Sequence, residues 1–162
     1  MARLELGNGA TAMVADGDEL VMERVFDAPR ELVWRVLTEA AHIARWWGPR
    51  GTSTVVHEQD LRVGGTWRWA NVFDGGEARM RGEYLEVSPP GRYVRTSYVD
   101  TEPLGPPAVE TVTLEEFDGR TTVRHHVRFP TEDILAFALS TGMSHGVLDQ
   151  FDRLADLLTE LR

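Results

Sequence analysis

From Ser144 to Arg162 the apolar residues fall at Val147, Phe151, Leu154, Leu158 and Leu161, with Leu148, Ala155 and Leu157 widening the stripe. This three-and-four spacing predicts an amphipathic helix over 144–162 with Ser144 as its N-cap, and it puts Asp149, Asp152 and Asp156 on the other side. Upstream the period shortens to two. Residues 66–73 (TWRWANVF) place Trp67, Trp69, Asn71 and Phe73 on one face and Thr66, Arg68 and Ala70 on the other. Residues 78–87 alternate likewise, with Ala78, Met80, Gly82 and Tyr84 opposed to Arg79, Arg81 and Glu83. Further strands are predicted over 20–26, 52–57, 92–99, 109–117 and 121–129, the last two joined through Asp118-Gly119, a strong hairpin signal. In the last of these Val123, His125 and Val127 share a face, and Arg124, His126 and Arg128 share the opposite one.

Helical signals interrupt the strands at two places. Asp27-Ala28-Pro29 opens a helix whose buried face is Val33, Val36, Leu37 and Ala40, and a second short helix over 39–45 is stopped at Trp46-Trp47-Gly48-Pro49. Later, Thr131 caps a short helix over 132–139 that carries Glu132 and Asp133 in its first turn, and Gly142 separates it from the long one. At the start, Gly7-Asn8-Gly9 fits either a hairpin between 3–6 and 10–15 or a fraying terminus. A lone long helix after a series of strands must lay its apolar face on the sheet. The functional question is what lies between them, side chains only or a ligand.

Bulk properties narrow the answer. The 162 residues divide into an N-terminal extension over 1–18 and a single domain over 19–162, and the net charge of −9 argues against an electrostatic grip on nucleic acid or an anionic membrane. The chain has no cysteine, so it has neither a disulfide framework nor a thiolate metal site. No apolar run approaches the roughly 18 residues a membrane span needs, and the first 18 residues lack a secretory pattern, so a cytoplasmic location is expected.

Signals for chemistry are few. None of His42, His57, His125, His126 and His145 forms a helical i, i+4 pair, no carboxylate cluster offers a metal site, and no Gly-x-Ser-x-Gly elbow or phosphate loop occurs. No cofactor is expected. His125 is the one candidate acid–base residue, because an imidazole titrates near neutrality. Asn71 and His125 share faces with apolar residues and need partners if buried. Arg95 is open, since Tyr93-Arg95-Ser97 and Val94-Thr96-Tyr98 both fit as the inward set.

Several stretches together carry a family resemblance. They are Arg24-Val25-Phe26-Asp27-Ala28-Pro29, Val33-Trp34, Arg45-Trp46-Trp47-Gly48-Pro49, Asp60 to Trp67 (DLRVGGTW), Gly82 to Pro90 (GEYLEVSPP) and Gly142-Met143-Ser144. Over about residues 20–162 they resemble the SRPBCC (START-like) superfamily, most closely its branch named after the activator of the 90-kDa heat-shock protein ATPase. The resemblance implies an α+β helix-grip fold: a seven-stranded antiparallel sheet wrapped around the C-terminal helix, two short helices after the first strand, and a cavity between helix and sheet. It also implies a homodimer and a position for Trp47 near the cavity mouth.

On this basis Trp67, Trp69, Asn71, Tyr84 and His125 are expected to line one cavity, roofed by Met143, Val147 and Phe151, with Arg95 as an anchor. The expected function is binding of a small apolar or amphipathic molecule, since such sites are mostly apolar with few polar groups. Two alternatives stand beside it. One is a cyclase- or hydrolase-like enzyme using His125, with Arg95 or Asn71 polarising a carbonyl; the other is a chaperone-associated interaction module. A cavity filled by side chains favours the module, an open cavity the carrier, and a cavity holding His125 bonded to a carboxylate the enzyme.

Overall fold

The computed structural model describes residues 2–162. In chain order the elements are β1 (Leu4–Glu5), β2 (Ala12–Asp16), β3 (Glu19–Phe26), α1 (Arg30–Thr38), α2 (Ala40–Trp46), β4 (Ser53–Gln59), β5 (Thr66–Phe73), β6 (Gly76–Ser88), β7 (Arg92–Val99), β8 (Ala108–Phe117), β9 (Arg120–Arg128), α3 (Glu132–Ser140) and α4 (Met143–Leu161). The strands form one sheet in the order β1-β2-β3-β9-β8-β7-β6-β5-β4, antiparallel throughout. From β4 to β9 the chain simply meanders, and β3 closes against β9 after the excursion through α1 and α2.

Nine strands stand where the resemblance implies seven. The additional two are β1 and β2, formed by residues 4–16. They hold because the turn between them is built: Asn8 Oδ1 accepts from the amides of Ala10 (3.0 Å) and Thr11 (2.8 Å). Beyond the turn, Met13 and Ala15 are fully buried and pair with Met22 and Leu20. The hairpin alternative at Gly7-Asn8-Gly9 is therefore the one adopted.

Other boundaries shift by a residue or so. The long helix begins at Met143, and its N-cap is Gly142 at φ 86°, not Ser144. A left-handed cap suits glycine, which has no Cβ to clash, and Ser144 lies within the first turn. The second helix runs over Ala40–Trp46, one residue later than 39–45. Thr131 does cap α3, its hydroxyl accepting from the Ile134 amide at 3.1 Å. Phe73, expected inward, is 45% exposed. It sits at the β5–β6 turn opposite Gly76, with its ring beside that glycine, which has no side chain to cover it.

The core lies between the concave sheet face and the helices. α4 contributes Phe151, Leu154, Leu157 and Leu158, and the sheet contributes Leu20, Met22, Phe26, Trp67, Trp69, Tyr84, Tyr93, Val112, Leu114, Val123 and Val127. Ion pairs fix the direction of α4. Arg162 meets Asp27 at the end of β3 (2.6 Å), and Asp152 meets Arg24 (2.6 Å). The C-terminus of α4 therefore lies at the end of β3, and its N-terminus points toward the end of β9. Arg153 ties the helix to the α2–β4 turn, donating to the carbonyls of Arg45 (3.0 Å), Gly48 (2.8 Å) and Pro49 (3.1 Å).

Candidate functional site

The register of the sheet determines which side chains meet. Tyr84, Arg95, Glu110, Val127 and Leu20 form one row across the concave face. The neighbouring row is Tyr93, Val112, His125 and Met22. Tyr93 and Arg95 are both buried, so Tyr93-Arg95-Ser97 is the inward set of β7.

Three of these residues form a charged network. Arg95 Nε donates to Glu110 Oε2 at 2.8 Å, and His125 Nε2 lies 2.8 Å from Glu110 Oε1. The guanidinium is spread over indoles, its Cζ 3.9 Å from the Trp67 ring centroid and 4.7 Å from that of Trp69. Its Nη1 is buried and has no hydrogen-bond partner among the described residues. Burial alone would push the Glu110 carboxyl up. The charge of Arg95 and the His125 hydrogen bond outweigh burial and bring it down from the ordinary 4.5 to about 2. Burial likewise opposes the charge on Arg95, and Glu110 overrides it, holding the guanidinium above its usual value. Burial pushes the Tyr93 phenol up, so it stays neutral.

A pH dependence follows from Glu110. A carboxyl whose folded value is depressed contributes stability that is full above its unfolded value and is lost as pH falls through the folded one. Urea denaturation at stepped pH is expected to show a loss on the order of 3 kcal/mol between about pH 4.5 and pH 2 from this group. Glu110→Gln should flatten that dependence.

The aromatic residues form a continuous block. Trp47 and Trp69 stand edge to face at 5.4 Å, Trp67 and Trp69 are 4.9 Å apart, and Tyr84 and Tyr93 are 5.7 Å apart. Trp67, Trp69 and Tyr84 are each 1% exposed, and their polar atoms have partners. Trp67 Nε1 donates to the Thr96 carbonyl (3.1 Å), and Trp69 Nε1 donates to Gln59 Oε1 (3.0 Å). Gln59 Nε2 then reaches the Tyr84 hydroxyl (2.8 Å) and the Thr38 carbonyl (3.0 Å). Gly82 leaves room for the Trp67 indole; a Cβ there would collide with Trp67 Nε1 and the Thr96 carbonyl. Asn71 spends its amide on Thr52 Oγ1 (2.8 Å) and Thr54 Oγ1 (3.3 Å), which fastens β5 to the start of β4.

Packing loosens toward the N-terminus of α4. Phe151 is buried, whereas Val147 and Met143, one and two turns earlier, are half-buried. On the sheet, Ser97 and Ala108, paired across β7 and β8, are half-buried, as is Phe129 at the end of β9. His125 keeps 17% of its side chain exposed although it stands between the fully buried Val112 and Met22. Burial thus falls off toward the N-terminus of α4 and along the facing ends of β7, β8 and β9, while Met143, Val147, Ala108 and Phe129 still pack against the core. Of the expected site residues, Trp67, Trp69, Tyr84, Arg95 and Phe151 lie in closed packing, and His125, Met143, Val147 and Trp47 lie at partly open positions. Of two surface depressions, one of about 150 Å³ lies beside Arg45 and Arg50, and one of about 300 Å³ is lined by Trp67, Arg68, Arg81, Gly82 and Tyr98.

Glu110 and Gln59 are absent from the sequence-derived set. Glu110 carried a signal: it shares the alternating face of Val112 and Leu114, where a carboxylate needs a partner. Gln59 lies past the predicted end of its strand, and nothing local marks it. Among the described residues no group of three or more His, Asp or Glu could hold a metal ion, and no helix is long and apolar enough to cross a membrane.

Comparison with known proteins bears on this geometry. The family model described as Activator of Hsp90 ATPase homolog 1-like protein matches residues 27–159. No curated protein matches the chain. Among solved structures, a Mycobacterium smegmatis protein is similar at TM-score 0.81 and 21% identity, covering 91% of this chain and 99% of its own. An Arthrobacter aurescens protein is similar at TM-score 0.84 and 22% identity, covering 91% of each. A Nitrosomonas europaea protein is similar at TM-score 0.77 and 25% identity, covering 88% of this chain and 94% of its own.

Proposed function

We propose that this chain, which belongs to the family of Activator of Hsp90 ATPase homolog 1-like proteins, binds a small apolar or amphipathic molecule between α4 and the concave face of its sheet. The observation that carries the reading is the graded burial, which we read as a wedge opening between helix and sheet. Burial falls off together on both walls, on Val147 and Met143 of α4 and on Ser97, Ala108 and Phe129 of the sheet. The exposed part of His125 supports it, because side chains that filled the space would cover that residue as they cover Val112 and Met22. The ligand enters from the α3 side and lodges its apolar part between Met143, Val147, Ala108 and Phe129, with its far end toward Arg95. The tryptophans serve as the wall behind the site, and Asn71 steadies the turn beneath Trp47.

The test is direct. N-Phenyl-1-naphthylamine, a neutral apolar fluorophore, is expected to brighten on titration with the protein. Val147→Trp, which fills the wedge, should weaken that response by about tenfold or more while leaving the melting temperature nearly unchanged. No brightening with the parent protein would remove this reading.

An enzymatic reading has one specific observation in its favour. With Glu110 Oε1 2.8 Å from His125 Nε2, the carboxylate accepts that N–H and leaves Nδ1 as a base. Mass spectrometry of the bound molecule before and after incubation separates the two readings, because a carrier returns its ligand unchanged. A chaperone-associated role would use the outer surface and leaves the Arg95 network without a task.

A further inference from the structure

We propose that the outer face of the sheet carries a second site, apart from the space beside α4, which binds a small monocarboxylate through Arg68 and Arg81. It stands independently of the binding reading above.

The alternation that turns Trp67, Tyr84 and Arg95 toward the core turns Arg68, Arg81 and Tyr98 outward. Register sets Glu58, Arg68, Arg81 and Tyr98 in one row across β4, β5, β6 and β7. Arg68 and Arg81 are thus direct cross-strand neighbours, a pairing of like charges that destabilises a sheet. The protein does little to relieve it. Arg68 makes no hydrogen bond or ion pair among the described residues, and Arg81 meets only Asp100, at 3.6 Å, too far for a hydrogen bond. Glu58 accepts from the Thr66 hydroxyl instead, and Glu83, opposite Thr66, forms no ion pair with either arginine. The depression of about 300 Å³ lies here, walled by both arginines, Tyr98 and Leu104 of the β7–β8 connection. That volume is at the lower end of small-molecule clefts.

Two neighbouring guanidinium groups offer forked N–H donors that match the paired oxygens of a carboxylate or a phosphate. Charge chooses between the two. Arg68 and Arg81 carry two positive charges, and Asp100, whose side chain is 17% exposed, offsets one. A monoanion completes the balance, whereas a phosphate dianion leaves a surplus negative charge beside Glu58 and Glu83. The Tyr98 ring, next in the row, and Leu104 supply apolar surface for a short hydrocarbon body. Both arginines remain in reach of water, so the affinity is modest, with a Kd on the order of 1 mM.

An NMR titration of the isotope-labelled protein at pH 8 and low ionic strength tests this, with amide shifts followed residue by residue. The probes are cyclohexanecarboxylate, cyclohexanecarboxamide, which keeps the shape without the charge, and inorganic phosphate. Cyclohexanecarboxylate is expected to shift the Gly82 and Leu104 amides along a saturating curve. The carboxamide and phosphate should each need a concentration about tenfold higher. Arg68→Gln should weaken binding of the carboxylate about tenfold while the melting temperature holds or rises, because a like-charged neighbour is removed. Arg81→Gln should weaken it likewise. Equal affinity for carboxylate and carboxamide, or shifts that never saturate, would overturn the inference. Phosphate binding more tightly than the carboxylate would overturn it in favour of a dianion. Saturating shifts at Val147 and Ala108 with none at Gly82 would put the probe between α4 and the sheet, which overturns this site and leaves the binding reading standing.

Discussion

Glu110→Ala is expected to destabilise the protein by about 3–5 kcal/mol in urea denaturation at pH 7. The side chains of Arg95 and Glu110 are 6% and 11% exposed, so truncating the carboxylate strands a positive charge where water hardly reaches. The same change takes the partner from His125 Nε2. The size of the effect comes from the charge left behind, which a comparison can show. Removing both charges in Arg95→Met with Glu110→Gln should cost less than Glu110→Ala, even though it changes more atoms, because no lone charge is buried. A Glu110→Ala variant within about 1 kcal/mol of the parent would mean that water reaches Arg95 freely and that the network is not closed.

Trp69→Ala is the second large effect, at about 3–5 kcal/mol. Its ring is 1% exposed, sits between Trp47 and Trp67, and supports the face of the Arg95 guanidinium. Its loss opens a void that close-packed neighbours cannot fill and leaves Gln59 Oε1 without its donor. Val147→Ala, at the loosened end, should cost far less, because a half-buried side chain bordering open space leaves little void when shortened. The contrast between the two, measured in the same denaturation series, maps where the interior is closed and where it gives. Similar small losses for both would extend the wedge back to the tryptophans.

The fold was largely legible because its signals are local. The alternation in 66–73, the Asp118-Gly119 turn and the stripe from Val147 to Leu158 each state their geometry within a few residues. The site was legible only in part. Alternation shows that Arg95 and His125 occupy strands, but the pairing of Arg95 with Glu110 and of His125 with the same carboxylate depends on cross-strand register, which no local pattern encodes. In 92–99 both faces mix aromatic, polar and apolar residues, so the inward side of β7 was decided by what β8 places opposite it. Ser144 illustrates a different limit. It has the chemistry of a cap, but the left-handed backbone at Gly142 places the cap two residues earlier.

The hairpin of β1 and β2 changes what the molecule shows to its neighbours. Without it β3, eight residues from Glu19 to Phe26, would border solvent with a row of unpaired backbone groups, a template on which another chain could add a strand. With it the sheet ends in the two residues Leu4 and Glu5. So short a margin offers little purchase for association, and a carboxylate on it discourages a second copy from joining edge to edge. The hairpin thus shortens this margin of the sheet to two residues, and the longer margin left is β4, seven residues from Ser53 to Gln59.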